Sequence, residues 1–190
     1  AAGDAFAKML IAAGVKDVFV LDARGINHPE RTPLNSVKSE LAEITNPRRI
    51  RGGISEALDG ADTFIGLSRG HVGERELQRM APDPILFSLA NPDPEIRPEL
   101  AYKYGAVVAT GRSDMPNQIN NVLAYPGVFH GALAAGAPKI TSAMKLAASR
   151  AIADIVGDEL DAEHIVPSPL DTRVAPAVSA AVQAAAVTGQ

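Results

Sequence analysis

Apolar residues recur along this chain with two different periods. In residues 3–13, GDAFAKMLIAA, Phe6, Met9, Leu10 and Ala13 fall at helical spacing, and Gly14 stands where a C-cap glycine belongs. DVFVLD (17–22) is a short apolar run ending in an acid and predicts a strand. NSVKSELAEI (35–44) predicts an amphipathic helix, and ISEALDG (54–60) a helical turn leading into a strand over 62–68. A helix over 73–80 then precedes a strand over 84–90, and a helix over 97–105 precedes a strand over 106–110. Short apolar strands alternating with helices predict an α/β fold whose parallel sheet is covered on both faces. The alternation occupies 1–117, and 118–190 reads as mainly helical. There QINNVLAYPGVFHGALAAG predicts one helical region, irregular at Pro126-Gly127. ITSAMKLAASRAIADIV and, after the linker HIVPSPLD, TRVAPAVSAAVQAAAVTG predict two more.

Composition narrows the function classes. Of 190 residues, 46% are hydrophobic and 21% charged, which is the profile of a globular domain. The net charge of −4 gives no basic excess for nucleic acid, so any anion has to be held by a local site. Without cysteine there is neither a disulfide nor thiol chemistry, which fits a cytoplasmic protein. No apolar run approaches the ~20 residues of a membrane span, so no membrane partner is expected. His28, His71, His130 and His164 have no partners at metal-ligand spacing, and no metal site is expected in this chain. Neither a P-loop lysine motif nor G-x-S-x-G occurs.

The chain opens AAGDAF. In a dinucleotide-binding unit the third glycine of G-x-G-x-x-G opens a helix, and an acid follows roughly 20 residues later at the end of the next strand. Gly3 opens a helix and Asp22 ends the next predicted strand, so the pattern is that of a Rossmann-like, doubly wound sheet lacking its first strand. Gly3 either places a pyrophosphate on the helix N-terminus or only permits close helix–strand packing. Asp22 either accepts from ribose hydroxyls, which favours NAD, or caps the DARG turn. Arg24 and Lys38 are either surface cations or the partners of a 2′-phosphate, which favours NADP.

In an open α/β sheet, ligands gather beyond the carboxyl ends of the strands. Ser68-Arg69-Gly70, Asn91-Pro92-Asp93-Pro94-Glu95 and Gly111-Arg112-Ser113-Asp114 follow the last three predicted strands. Asn91 either closes an Asx-turn or faces a ligand, and the pair Asn120-Asn121 starts the helical region downstream. Three carboxamides in one crevice suit a polar substrate and a nicotinamide amide, but provide no acid, base or nucleophile. The acids of NPDPE read as turn formers.

SLANPDPEIRPE, ATGRSDMPNQINNVLAYPGVFHGAL, ITSAMKLAASRAIADIV and IVPSPLDTRVAPAVSAAV together resemble the NAD(P)-binding domain of bacterial malic enzymes. The likeness runs from residue 1 to about 187 and takes in DARG…RTPLNSVKSE and ISEALDGADTFIGLS. It implies one NAD(P)-binding domain over 1–190, part of a longer, homo-oligomeric oxidoreductase. The implied reaction converts (S)-malate to pyruvate and CO2 with NADP or NAD and with Mg2+ or Mn2+. It implies that Asn91 and Asn121 line the malate–nicotinamide site, with Asn120 as cap or support. Ala1, Ala2 and Gly3 would end the phosphate loop, Asp22 would face the adenosine ribose, and Arg24, Lys38 and Ser68 would join the cofactor site. Lys38 matches the position where a lysine accompanies NADP preference. The family's catalytic tyrosine and lysine and its acidic metal ligands belong to an N-terminal domain upstream, so the isolated chain is expected to be inactive. The rival expectation is an inert Rossmann-like module that only binds nucleotide or mediates assembly.

Overall fold

A computed structural model describes residues 2–188, with side chains through 187. The elements of the first compact unit, residues 1–107, are α1 (Ala2–Ala12), β1 (Leu21–Asp22), β2 (Gly25–Ile26), α2 (Ser36–Ile44), α3 (Ile54–Leu58), β3 (Thr63–Gly66), α4 (Glu74–Leu77), β4 (Ile85–Ser88) and α5 (Pro98–Tyr104). β5 (Val107–Thr110) crosses into the second unit, residues 108–190, which holds α6 (Tyr125–Ala134), α7 (Ser142–Val156) and α8 (Val174–Thr188). The strand order is β3-β4-β5, with β3 and β4 paired in parallel from Thr63 opposite Ile85 to Gly66 opposite Ser88. This is the α/β class that the alternating pattern predicts.

Local chemistry explains where the helices begin and end. Asn35 caps α2 by accepting the Lys38 amide on Oδ1 at 2.9 Å, and Leu41 and Ala42 form its buried face. α2 stops at Thr45, whose amide and hydroxyl both donate to the Leu41 carbonyl just before Pro47. Glu56 and Glu76 reach back to the amides of Gly53 and Gly73 and so close the first turns of α3 and α4. Leu58, Leu77, Leu86, Ile96 and Ala101 are buried and supply the core of this unit.

Two expectations change. Of DVFVLD, only Leu21–Asp22 forms a strand, and it pairs antiparallel with Gly25–Ile26 as a tight hairpin. A strand needs a neighbouring ladder. The Val18 and Val20 carbonyls accept single bonds from the amides of Asn46 and Asn27, and among the described residues no strand runs beside 17–20. The break in the helical stretch also falls earlier than Pro126. Asn121–Leu123 is a turn of 3-10 helix and α6 starts at Tyr125, so Pro126 lies in the first turn, where its missing N–H leaves no bond unmade.

The second unit is a three-helix packing around Met144, Ala148, Val174, Val178 and Val182. α6 and α8 approach closely because α6 faces its partner with Gly127 and Gly131. A Cβ on Gly127 would come within 2.6 Å of the Val178 Cβ, and one on Gly131 would overlap the Ser179 carbonyl oxygen. Asn117 ties the end of β5 to the segment before α8. Its buried Nδ2 donates to the carbonyls of Val108 and Ala162 at 2.9 and 2.8 Å, and its Oδ1 accepts the Ile165 amide at 2.8 Å. Its φ of 54° is a left-handed conformation that asparagine tolerates better than most residues.

Candidate functional site

The β1–β2 hairpin gathers the charged residues that the sequence places around the cofactor. Asp22 ends β1, Arg24 sits in the turn, and Lys38 lies in the first turns of α2. The Lys38 backbone is held on both sides, its amide by Asn35 and its carbonyl by Asn27 Nδ2 at 2.8 Å. This fixes the helix so that Lys38 Nζ reaches Asp22 Oδ2 at 2.5 Å. Asp22 Oδ1 accepts the Arg24 amide at 2.8 Å, which makes it the cap of the DARG turn as well as an ion-pair partner.

Arg31 is a third cation that sequence reading passed over. Its Nη2 donates to Asp22 Oδ2 at 2.5 Å and its Nη1 to the Gly25 carbonyl at 3.0 Å, so one guanidinium clamps both strands of the hairpin. The Arg31 side chain is only 10% exposed, against 40% for Lys38. Burial pushes the Asp22 carboxyl up, but the hydrogen bonds from Lys38, from the Arg24 amide and from Arg31 outweigh it. They hold the group well below the usual carboxylate range.

Two open depressions flank the hairpin. One, of about 350 Å³, is lined by Arg24, Pro33, Leu34, Asn35 and Lys38. The other, of about 580 Å³, has Arg24, His28, Arg31 and Gly52 among its walls. The Arg24 guanidinium has no hydrogen-bond or ion-pair partner among the described residues. An anion in the smaller depression would therefore meet the exposed, unpaired Arg24 and the half-buried Lys38, which is paired with Asp22. Such a surface suits an anion.

The Lys8–Glu40 ion pair, 2.7 Å, links α1 to α2. Gly3 is in the first turn of α1, and apart from its chain neighbours and the helix's own backbone no described atom lies within 4 Å of where its Cβ would be. Ala2 is the first residue of α1, and Ala1 lies outside the described residues.

Ser68 and Asn91 are both exposed, just past the ends of β3 and β4. A residue read as a turn former joins their two loops. Glu95 is buried at 4% exposure, accepts the Ser68 amide on Oε1 at 3.0 Å and accepts the Ala90 amide on Oε2 at 3.2 Å. Its carboxyl lies against Gly66, where a Cβ would overlap it. The sequence signal was Gly66 itself, since a glycine inside a strand often marks a close approach.

In the second unit, Asn120 accepts the Val122 amide on Oδ1 at 3.0 Å and caps the 3-10 turn that Asn121 begins. Asn121 is exposed, and its carboxamide has no hydrogen-bond partner among the described residues. Also among the described residues, no three His, Asp or Glu side chains lie together as ligands for a metal ion. No described helix is long and apolar enough to cross a membrane.

Comparison with known proteins bears on family and fold. The family model described as "Malic enzyme, NAD binding domain" matches residues 9–188. The bifunctional malic/malolactic enzyme of Bacillus subtilis is 49% identical, over 98% of this chain and 47% of its own. The NADP-dependent malic enzyme of Halomonas elongata is 40% identical, over 98% of this chain and 48% of its own. The crystal structure of the NAD-dependent malic enzyme of Thermotoga maritima superposes with a TM-score of 0.86 at 46% identity, over 93% of this chain and 47% of that one. The chain spans about half the length of the curated relatives it matches. Its structural neighbours are malic enzymes with a nucleotide-binding domain of the same α/β build, and this chain belongs to the malic enzyme NAD-binding domain family.

Proposed function

We propose that this chain is the cofactor-holding part of an NADP-dependent enzyme that oxidatively decarboxylates (S)-malate to pyruvate and CO2. Its relatives include both NAD- and NADP-dependent enzymes, so family membership leaves the cofactor undecided. The observation that carries the choice is the charge around Asp22: one carboxylate against Arg24, Arg31 and Lys38. A carboxylate facing a ribose diol selects NAD, whereas a surplus of cations at the same place selects a 2′-phosphate.

The nicotinamide cofactor, when bound, supplies the acceptor for the hydride leaving C2 of malate. The residues of this chain bind and orient. The first turn of α1 at Ala2 and Gly3 would receive the pyrophosphate on its backbone N–H groups. Arg24 and Lys38 would take the 2′-phosphate. Ser68 and Asn91, exposed after strand ends, would hold the nicotinamide amide, and Asn121, exposed at a helix start, is assigned to the polar groups of malate. Proton transfer and a divalent cation, Mg2+ or Mn2+, would come from the part of a longer protein that the relatives' length implies, as would homo-oligomer contacts.

The test is malate-dependent reduction of NADP and of NAD by the intact protein and its Lys38→Ala variant. Loss of the phosphate contact should raise the KM for NADP by about tenfold or more, the factor that about 1.4 kcal/mol represents. NAD kinetics should be nearly unchanged. An unmodified protein that prefers NAD overturns the NADP reading. Nucleotide binding without any malate turnover would point to an inert binding module.

A further inference from the structure

Asp22 Oδ2 carries two counterions, and they are not equivalent. Lys38 reaches it through a flexible, 40% exposed side chain whose ammonium makes no other bond among the described residues. Arg31 reaches it from a side chain 10% exposed, anchored at the same time to the Gly25 carbonyl at 3.0 Å and the Ile26 carbonyl at 3.4 Å. A planar fork held at three points loses little further freedom on staying where it is, whereas a lysine is a mobile point charge. Lys38 is therefore the partner that can leave, and Arg31 the partner that stays.

We infer that Arg31 is a specificity-determining positioning residue: as the resident counterion of Asp22, it releases Lys38 to bind a 2′-phosphate. The inference rests on the NADP reading above and adds a residue to it. If Lys38 were the sole counterion, moving it to a phosphate would leave an uncompensated carboxylate beside a dianion, and like charges at that distance repel. With Arg31 fixed behind the carboxylate, Lys38 and Arg24 face the ligand as two cations at no such cost. Arg31 need not touch the ligand. Its effect travels through Asp22, to which it bonds directly.

The prediction separates this role from a merely structural one. Binding of 2′-phospho-ADP-ribose and of ADP-ribose to the intact protein is measured by calorimetry for wild type, Arg31→Gln, Arg31→Lys and the double variant Arg31→Gln/Asp22→Asn. Wild type should prefer the phosphorylated ligand. Arg31→Gln should lose about tenfold or more of that affinity, while ADP-ribose binding changes by a factor of about three or less. Arg31→Lys, which keeps the charge, should retain most of the preference. Removing the Asp22 charge in the Arg31→Gln background should restore 2′-phospho-ADP-ribose binding, which a folding defect cannot do. An unchanged ratio in Arg31→Gln overturns the inference and leaves the NADP reading intact, as does equal loss of both ligands without rescue. If Arg31→Gln does not fold, the comparison of Arg31→Lys and the double variant with wild type decides: absence of preference in the first, or weak phosphate binding in the second, overturns it. A wild type that binds neither ligand, or favours ADP-ribose, overturns the NADP reading and this inference with it.

Discussion

Asn120 and Asn121 are adjacent in sequence and opposite in employment. Asn120 folds its carboxamide back to cap the Val122 amide at 3.0 Å, and Asn121 extends its own from an exposed position without a partner among the described residues. Two identical side chains thus allow a controlled experiment. Asn120→Ala should lower stability by about 0.5–2 kcal/mol, the usual worth of a cap. Asn121→Ala should leave stability within about 0.5 kcal/mol, as for surface changes away from special features. It should nevertheless cut kcat/KM for malate at least about tenfold, because a polar ligand contact left unmade costs about 1–3 kcal/mol. Urea unfolding and steady-state kinetics on the intact protein check both. Near-normal turnover by Asn121→Ala refutes its ligand role.

Glu95 gives a second prediction. Glu95→Ala removes the acceptor of two loop amides, Ser68 and Ala90, at a buried position. Each amide left unpaired costs about 1–3 kcal/mol unless water enters. The unfolding midpoint should drop clearly, and cofactor KM should rise because Ser68 and Asn91 lose their fixed loops. Glu95→Gln keeps one acceptor and should fall between wild type and alanine.

Acid should act on the hairpin. The Asp22 carboxyl is depressed in the folded protein, so its contribution to stability is fully present above its unfolded pKa of about 3.9 and is lost as pH falls below that value through the folded one. Stability of wild type should decline as pH drops below about 4. Asp22→Asn, which has no carboxylate to protonate there, should show a flatter profile over the same window. Parallel profiles in thermal melts would remove Asp22 from the account of acid sensitivity.

Helix packing gives a fourth. Gly131→Ala places a methyl against the Ser179 carbonyl of α8, where overpacking costs about 1–3 kcal/mol. A melting temperature equal to wild type would mean that α6 can shift away from α8 freely.

Most of the fold is legible in the residues. α2, α5, α7 and α8 lie within a residue or two of the apolar periods and caps that predict them, because each carries its own start and stop signals. The run DVFVLD misleads because periodicity reports apolar spacing and says nothing of whether a neighbouring strand is present. At the candidate site, Asp22 is signalled by its spacing behind Gly3, and Arg24 and Lys38 by their nearness to it. Arg31 and Asn117 carry no such signal, and Glu95 only the indirect one of Gly66. Each acts by reaching backbone groups several to nearly fifty residues away, which no local pattern encodes.

Glu95 seated under Gly66 also bears on how such a chain can change over time. Position 66 can accept a side chain only if position 95 shortens, and a shortened residue 95 can no longer hold both loop amides. The two positions are therefore a single unit of variation, and drift at either one alone is blocked. In any set of related sequences, substitutions at 66 and 95 should appear together, accompanied by altered lengths of the segments carrying Ser68 and Asn91, or should not appear at all.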